Sequence, residues 1–456
     1  MEKNEVRDDR LFELEDEFTE LIKNKKFKEA KTLIEDLNEV DIAELIDKLD
    51  PTTGTVIFRM LGKDVAADVF ANFDTEQQQE IMKASTAQEI KEIMDELYFD
   101  DLVDMLEEMP SNVVNSILKY SLPEERTLIN QFLKYPEYSA GSIMTIEYVS
   151  LKKEMTVKES FAKIKREGID KETIYTLYVT DDYRRLIGIL SLRELIVAPE
   201  SAKIIDLMKS DVVYAGTHDD QEYVAGLFKR YGFEAIPVVD NEKRIVGIIT
   251  YDDIMDIMEE EATEDFQVMA AITPTEEPYL DSSVIFLAKH RILWLMILMI
   301  SSTITQRIIQ GYETYLYSVA GLSTFIPMLM DTGGNSGSQS STLVIRGLAT
   351  GDIKPHDWFK VVWKEFRVSV LVGIALSIVS YFKIIYVDRM PESIAMTVSC
   401  TLIIAVMTAK VVGGLLPIAA HKLKLDPAIM ASPLITTIAD ATTLVAYFFF
   451  AQQIIG

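Results

Sequence analysis

The sequence of 456 residues holds one cysteine, four histidines and three tryptophans, and each scarcity removes a class of chemistry. With Cys400 alone, no disulfide forms within the chain and a four-cysteine zinc site is impossible. A mixed Cys/His site is hard to assemble from so few ligands. No glycine-rich phosphate loop occurs, which argues against nucleotide hydrolysis. Neither a nucleophile paired with a base nor a metal triad appears, so the chain is not read as an enzyme. Positive charge is scarce too: the net charge is −27, and so acidic a chain repels nucleic acid and concentrates cations at its surface. Nucleic acid is therefore not expected as a partner. The opening MEKNEVRDDRLFELEDEF is charged throughout and lacks the apolar core of a signal peptide, so the N-terminus is expected to stay in the cytosol.

The charge is unevenly spread. Residues 1–290 carry 63 acidic against 33 basic side chains, a net −30, while the remainder carries 9 against 12, a net +3. Two or more units are expected. From about 15 to 135, apolar residues recur at helical spacing, as in Leu33, Ile34, Leu37, Ile42, Leu45, Ile46 and Leu49. DIAELIDKLDP (Asp41 to Pro51) and DDLVDMLEEMP (Asp100 to Pro110) read as variants of one helix ending at proline, which suggests a short helical solenoid over residues 1–137.

Between about 138 and 258 short β-branched strands alternate with helices, twice. LYVTDDYRRLIGILSLRELI (177–196) matches IPVVDNEKRIVGIITYDDIM (236–255) at a constant offset of 59, pairing Gly188 with Gly247 and Asp181 with Asp240. IMTIEYVSL (143–151) likewise matches LMKSDVVYA (207–215). The pattern resembles a tandem pair of CBS domains, here 138–200 and 201–258. That resemblance implies a possible ATP or other adenosine nucleotide site, with Thr250 and Asp253, or Ser191 and Glu194, reaching the ribose. Residues 252–272 read as a long acidic helix stopped at Thr273-Pro274, with a second helix starting near Pro278, so that 259–285 connects to the last unit.

Apolar stretches long enough to span a bilayer occur at roughly 291–310, 318–345, 366–387, 394–420 and 427–454, giving a five-helix transmembrane domain over 286–456. Arg346, Lys354, Lys360, Lys364 and Arg367 mark one cytosolic loop, and Lys422 and Lys424 another. The C-terminus is then external. Asp440 stands mid-span in SPLITTIADATTLVAYF, where an uncompensated charge costs roughly 2.5–3.5 kcal/mol or more. It is expected to face a cavity, an ion or a partner charge. In DTGGNSGSQSSTLVIRG (331–347) glycines interrupt a membrane segment, while Asn335, Ser336, Ser338 and Gln339 supply oxygens suited to a hydrated hard cation.

GGNSGSQSSTLVIRGLATGDI (333–353) and LDPAIMASPLITTIADATTLVAYF (425–448), together with the acidic helical, tandem CBS and connecting regions, resemble the MgtE family over nearly the whole chain. The resemblance implies a magnesium channel or transporter in the cell membrane, assembled as a homodimer with one pore on the two-fold axis. Asp440 is then the pore ligand, and Asn335, Ser338, Gln339, Thr437 and Lys410 line the path. Regulation is implied as well: magnesium held by Asp100, Asp101, Asp104, Asp252, Asp253, Asp256, Glu261 and Asp265 would close the pore. The chain departs from the family pattern at Ser338, where asparagine is common, at Thr443, where glycine is common, and at Lys410, which lies mid-span. Lys410 is placed either to pair with Asp440 or to face the dimer edge or a water-filled pocket. Pairing would favour other readings: a carrier or exporter of another cation, or a membrane-anchored sensor that transports nothing.

Overall fold

A computed structural model describes residues 14–456 except 36, 111–112, 115–117, 119–120, 276–278, 281, 320 and 431. It separates into two units, 1–257 and 258–456, with the division inside one helix, Tyr251–Met269.

After a helical stretch at 14–23, the first unit continues with short helices: α1 (Phe27–Ile34), α2 (Glu39–Asp47), α3 (Pro51–Phe58), α4 (Lys63–Ala71), α5 (Thr75–Ala84), α6 (Ala87–Glu96), α7 (Phe99–Glu108) and α8 (Pro123–Phe132). Side-chain caps set their starts. Asn38 accepts from Val40 N, Asp74 accepts from Gln77 N, and Thr86 and Glu89 form a reciprocal capping box. Pro51 corrects one expectation: it opens α3 behind the Asp50 cap and does not end the preceding helix, which stops at Asp47. Proline suits a first helical position because its missing N–H would have no intrahelical partner there. Ile34, Ile46, Ile57, Phe70 and Ile81 fill the helical core.

Two sheets follow. Strands β1 (Tyr148–Lys152), β2 (Thr173–Thr180) and β3 (Leu186–Ser191) pair in that order, parallel then antiparallel. Helices α9 (Val157–Glu167), α10 (Leu192–Val197) and α11 (Ile204–Leu207) accompany them. The second sheet, β4 (Ala215–Gly216), β5 (Ala235–Val239) and β6 (Ile245–Thr250), repeats the topology around α12 (Gln221–Tyr231). The repeat extends to the register: Val179 faces Gly188, and Val238 faces Gly247. Asp181 and Asp240 do equivalent work, each Oδ1 accepting from two backbone N–H groups of its hairpin turn. The leading segments are exchanged between the copies. Met208 and the Lys209 backbone pack on Gly188, while Met144 and the Thr145 backbone pack on Gly247, so any Cβ at either glycine would collide.

Helix α13 (Tyr251–Met269) is the acidic helix expected at 252–272. The start expected near Pro278 lies outside the described residues, and the next helix, α14, runs Val284–Ser301. Then come α15 (Thr303–Gly311), α16 (Glu313–Ser318), α17 (Leu322–Ala349), α18 (Trp358–Phe382), α19 (Glu392–Lys422) and α20 (Ser432–Ile454). Among the described residues four helical segments are long and apolar enough to cross a membrane: Val284–Gly311, Pro355–Val387, Glu392–Lys422 and Pro427–Ile454. The fifth expected span corresponds to α17. Its 28 residues reach about 42 Å, but a central polar run lowers its hydropathy. Helices α17, α19 and α20 pack on one another around Leu322, Phe325, Leu329, Val398, Leu402, Leu444 and Phe448.

Candidate functional sites

In the first unit, the opening turn of α7 carries Asp100 and Asp101. Asp100 is only 7% exposed, and its carboxylate oxygen comes within 4.8 Å of oxygens of Glu147 and Glu172. Glu147 accepts from Phe99 N at 3.1 Å and from Thr145 Oγ1 at 2.9 Å. Asp100 Oδ1 and Glu172 Oε2 are buried without a hydrogen-bond partner. Burial, reinforced by Asp253 and the other neighbouring acids, pushes Asp100 up to about 9, Glu172 to about 8 and Asp101 to about 6. Burial likewise raises Asp253. Hard oxygen donors that are crowded, buried and partly unsatisfied are what a divalent cation of the magnesium type would bind.

This cluster unites Asp100, Asp101, Asp252 and Asp253 of the sequence-derived set, since Asp253 and Asp101 act on Asp100, and Asp252 acts on Asp101 and Glu172. Glu147 and Glu172 were missed. They sit in separate segments before β1 and β2, far in sequence from Asp100 and from each other. Asp104 and Asp256 follow on α7 and α13. Glu261 and Asp265 fall in the second unit, where burial and then Asp426 push Asp265 up to about 6, against a lowering by Arg346.

The residues proposed for a nucleotide also have local work. Thr250 Oγ1 donates to Asp253 Oδ2 at 2.6 Å. Ser191 and Glu194 form a capping box at α10, and Lys209 holds Glu194 at 2.8 Å, lowering it to about 2.

In the second unit, α17 has two faces. Gly333, Gly334, Ser336, Gly337, Ser340 and Ser341 are buried, whereas Asp331, Asn335, Gln339 and Thr342 are exposed along one stripe at intervals of three or four residues. The glycines allow close approach. A Cβ at Gly333 would stand 2.9 Å from Thr443 Oγ1, one at Gly334 would stand 2.8 Å from Thr436, and one at Gly413 of α19 would run into the Gly337 carbonyl. These crossings carry the stripe past α20, on which Asp440 is half-buried with Oδ1 enclosed and without a partner. Asp331 is its electrostatic neighbour, a residue that sequence reasoning left out although it precedes Asn335 by one helical turn. Thr437, a turn before Asp440, shares a 3.3 Å contact with Ser301 of α14. Ser338 Oγ donates back to the Gly334 carbonyl at 3.0 Å.

Lys410 does not pair with Asp440. Its ammonium donates to Ser336 O at 3.4 Å, Gln339 Oε1 at 3.5 Å and Ser340 Oγ at 3.4 Å, all on α17.

Comparison with known proteins adds independent observations. A family model described as a divalent cation transporter matches residues 326–450, one for the MgtE intracellular N domain matches 37–138, and CBS-domain models match 140–201 and 204–260. Over 428 residues the chain is 37% identical to the magnesium transporter MgtE of Thermus thermophilus, covering 93% of this chain and 95% of that one. It is 32% identical over 438 residues to the magnesium transporter MgtE of Bacillus subtilis, covering 95% and 96%. Among solved structures, the soluble part of a magnesium transporter is similar at 30% identity and a TM-score of 0.51, over 55% of this chain and 99% of that one. The cytosolic domain of the Mg2+ channel MgtE in complex with ATP is similar at 35% identity and a TM-score of 0.51, over 53% and 98%.

Proposed function

Because the chain belongs to the MgtE family of divalent cation transporters, a family of transporters rather than enzymes, we propose that it conducts magnesium across the cell membrane and senses it in the cytosol. One observation carries the reading: α17 exposes Asp331, Asn335, Gln339 and Thr342 in one stripe beside the half-buried Asp440. Polar side chains at membrane depth need water, an ion or protein against them. A second copy of the chain facing the stripe would enclose it, so the pathway is assigned to a homodimer, with Asp440 as the ion ligand and Asn335, Ser338, Gln339 and Thr437 along it. Magnesium here is cargo. It would pass hydrated, since it gives up its waters reluctantly.

In this reading residues 1–137 form the acidic N domain, 138–200 and 201–258 the CBS pair, 259–285 the connecting region and 286–456 the transmembrane domain. The basic loops favour a cytosolic N-terminus and an external C-terminus. Asp100, Asp101, Glu147, Glu172, Asp252 and Asp253 form one regulatory cation site, with Asp104 and Asp256 near it in sequence. Glu261 and Asp265 belong to a separate acidic group. Filling these sites when magnesium is abundant would favour the closed pore, and repulsion among emptied carboxylates would favour opening. ATP at the CBS pair is assigned to Thr250 and Asp253, and its binding would have to break their 2.6 Å hydrogen bond.

The test is magnesium uptake into proteoliposomes, read by an enclosed dye, for the wild type and Asp440→Asn. Uptake that Asp440→Asn abolishes supports the reading. A folded, dimeric wild type without uptake overturns it in favour of a non-transporting sensor.

A further inference from the structure

Lys410 is only 5% exposed, and its ammonium meets three oxygens of α17 at 3.4–3.5 Å, which matches the three donors an ammonium possesses. One acceptor, Ser340, is 1% exposed and donates its own hydroxyl to Glu365 Oε2 of α18 at 2.5 Å. Lys410, Ser340 and Glu365 therefore form a bridged chain of charge through the middle of three helices. It lies beside the tight Gly337–Gly413 crossing, where the α17 and α19 backbones leave no room for a Cβ.

The chemistry of this chain fixes the orientation of Gln339. An ammonium only donates, so Gln339 must turn its carbonyl oxygen towards Lys410. Its amide N–H2 group is then the end left for the exposed stripe. Water around a cation points its hydrogens outward and seeks acceptors. The stripe at Gln339 thus offers such water a donor, with a fixed positive charge behind it.

We propose that Lys410 is a brake on the cation path: it holds Gln339 with its acceptor turned away from the stripe and adds a positive charge there, while Glu365, through Ser340, keeps that charge compensated within the unit. This rests on the reading that cations pass along the stripe. Lys410 is a positioning residue and touches no cargo. Replacing it with an uncharged chain of similar length would free the Gln339 oxygen and remove the opposing charge. Regaining one hydrogen bond to the water around a cation corresponds to roughly tenfold in rate.

The test compares initial magnesium uptake by the full-length wild type, Lys410→Met, Lys410→Met/Gln339→Leu and Lys410→Met/Glu365→Gln, with Tm and size-exclusion profiles confirming folding. Lys410→Met is expected to conduct about tenfold faster than the wild type, and adding Gln339→Leu is expected to remove most of that gain. A merely structural lysine would produce neither the gain nor its dependence on Gln339. Should Lys410→Met misfold because Glu365 is left uncompensated, the doubly neutral Lys410→Met/Glu365→Gln protein is expected to fold and show the gain. A folded variant at or below the wild-type rate, or a gain that survives Gln339→Leu, overturns the proposal. A silent wild type beside a conducting Lys410→Met would uphold the brake while overturning the transport reading for the native chain. Silence in every folded variant would overturn both.

Discussion

Asp440 and Asp331 face the same problem, a carboxylate at membrane depth, and their surroundings differ. Asp440 is half-buried with one enclosed oxygen, while Asp331 is exposed at the head of the stripe. Asp331→Asn is therefore expected to keep uptake but raise the magnesium concentration for half-maximal rate by roughly three- to tenfold, the effect of losing one neighbouring charge in a wet environment. A dose–response series in proteoliposomes checks this, and an unchanged midpoint would remove Asp331 from the path. The cytosolic carboxylates make a different prediction. Asp100 and Glu172 have folded pKa values of about 9 and about 8 against ordinary values of 3.8 and 4.5. The folded state then binds more protons than the unfolded state between those limits, so without magnesium the stability of the cytosolic half should fall as pH rises from about 4 to about 9. Magnesium should flatten that fall, and Asp100→Asn should both raise the metal-free Tm and shrink the magnesium-dependent gain. Thermal scans across pH, with and without magnesium, measure it. Asp440 stood out in the sequence because a lone acid in an apolar run has few explanations. Glu147 and Glu172 were not, because only the folded chain brings them to Asp100.

Helices and strands were legible where local chemistry alone decides them. The long α13, the paired sheets with Gly188 and Gly247, and the last two spans all follow from period, turn residues and breakers. Pro51 shows the limit, since a proline after a helical run marks a stop or a start, and only the Asp50 cap distinguishes the two. The Thr250–Asp253 and Ser191–Glu194 spacings show another, because the same pattern that suggests a ribose contact also makes a helix N-terminal hydrogen bond. At α17 the sequence suggested a polar, glycine-broken segment, and the structure makes it one continuous helix whose glycines serve contact with α19 and α20. Gly413→Ala should thus be harmful, costing about 1–3 kcal/mol as an overpacked crossing and lowering the Tm of the purified protein. Gly311→Ala, with nothing within 4 Å of the added methyl, serves as the tolerant control.

For the molecule as a whole, composition already separated an acidic cytosolic half from a nearly neutral membrane half, and the repeat at an offset of 59 exposed the tandem pair. The exchange of leading segments between the two copies was not legible, because alignment says which segments are alike and not which ones touch. Assembly is the largest remaining step. The second copy proposed to face the polar stripe can be tested directly, because Cys400 is the single cysteine. In a Cys400→Ser background, Thr342→Cys is expected to cross-link two chains with a short bis-maleimide in membranes, giving a dimer band on denaturing gels. Only monomer would argue that the stripe faces something else.

The most direct measurement is magnesium uptake by Asn335→Cys in the same cysteine-free background, before and after reaction with a positively charged methanethiosulfonate reagent. If cations travel along the α17 stripe past Asp440, modification should abolish uptake, and magnesium present during the reaction should slow the block. Unchanged uptake after complete modification would place the ion path elsewhere and contradict the account.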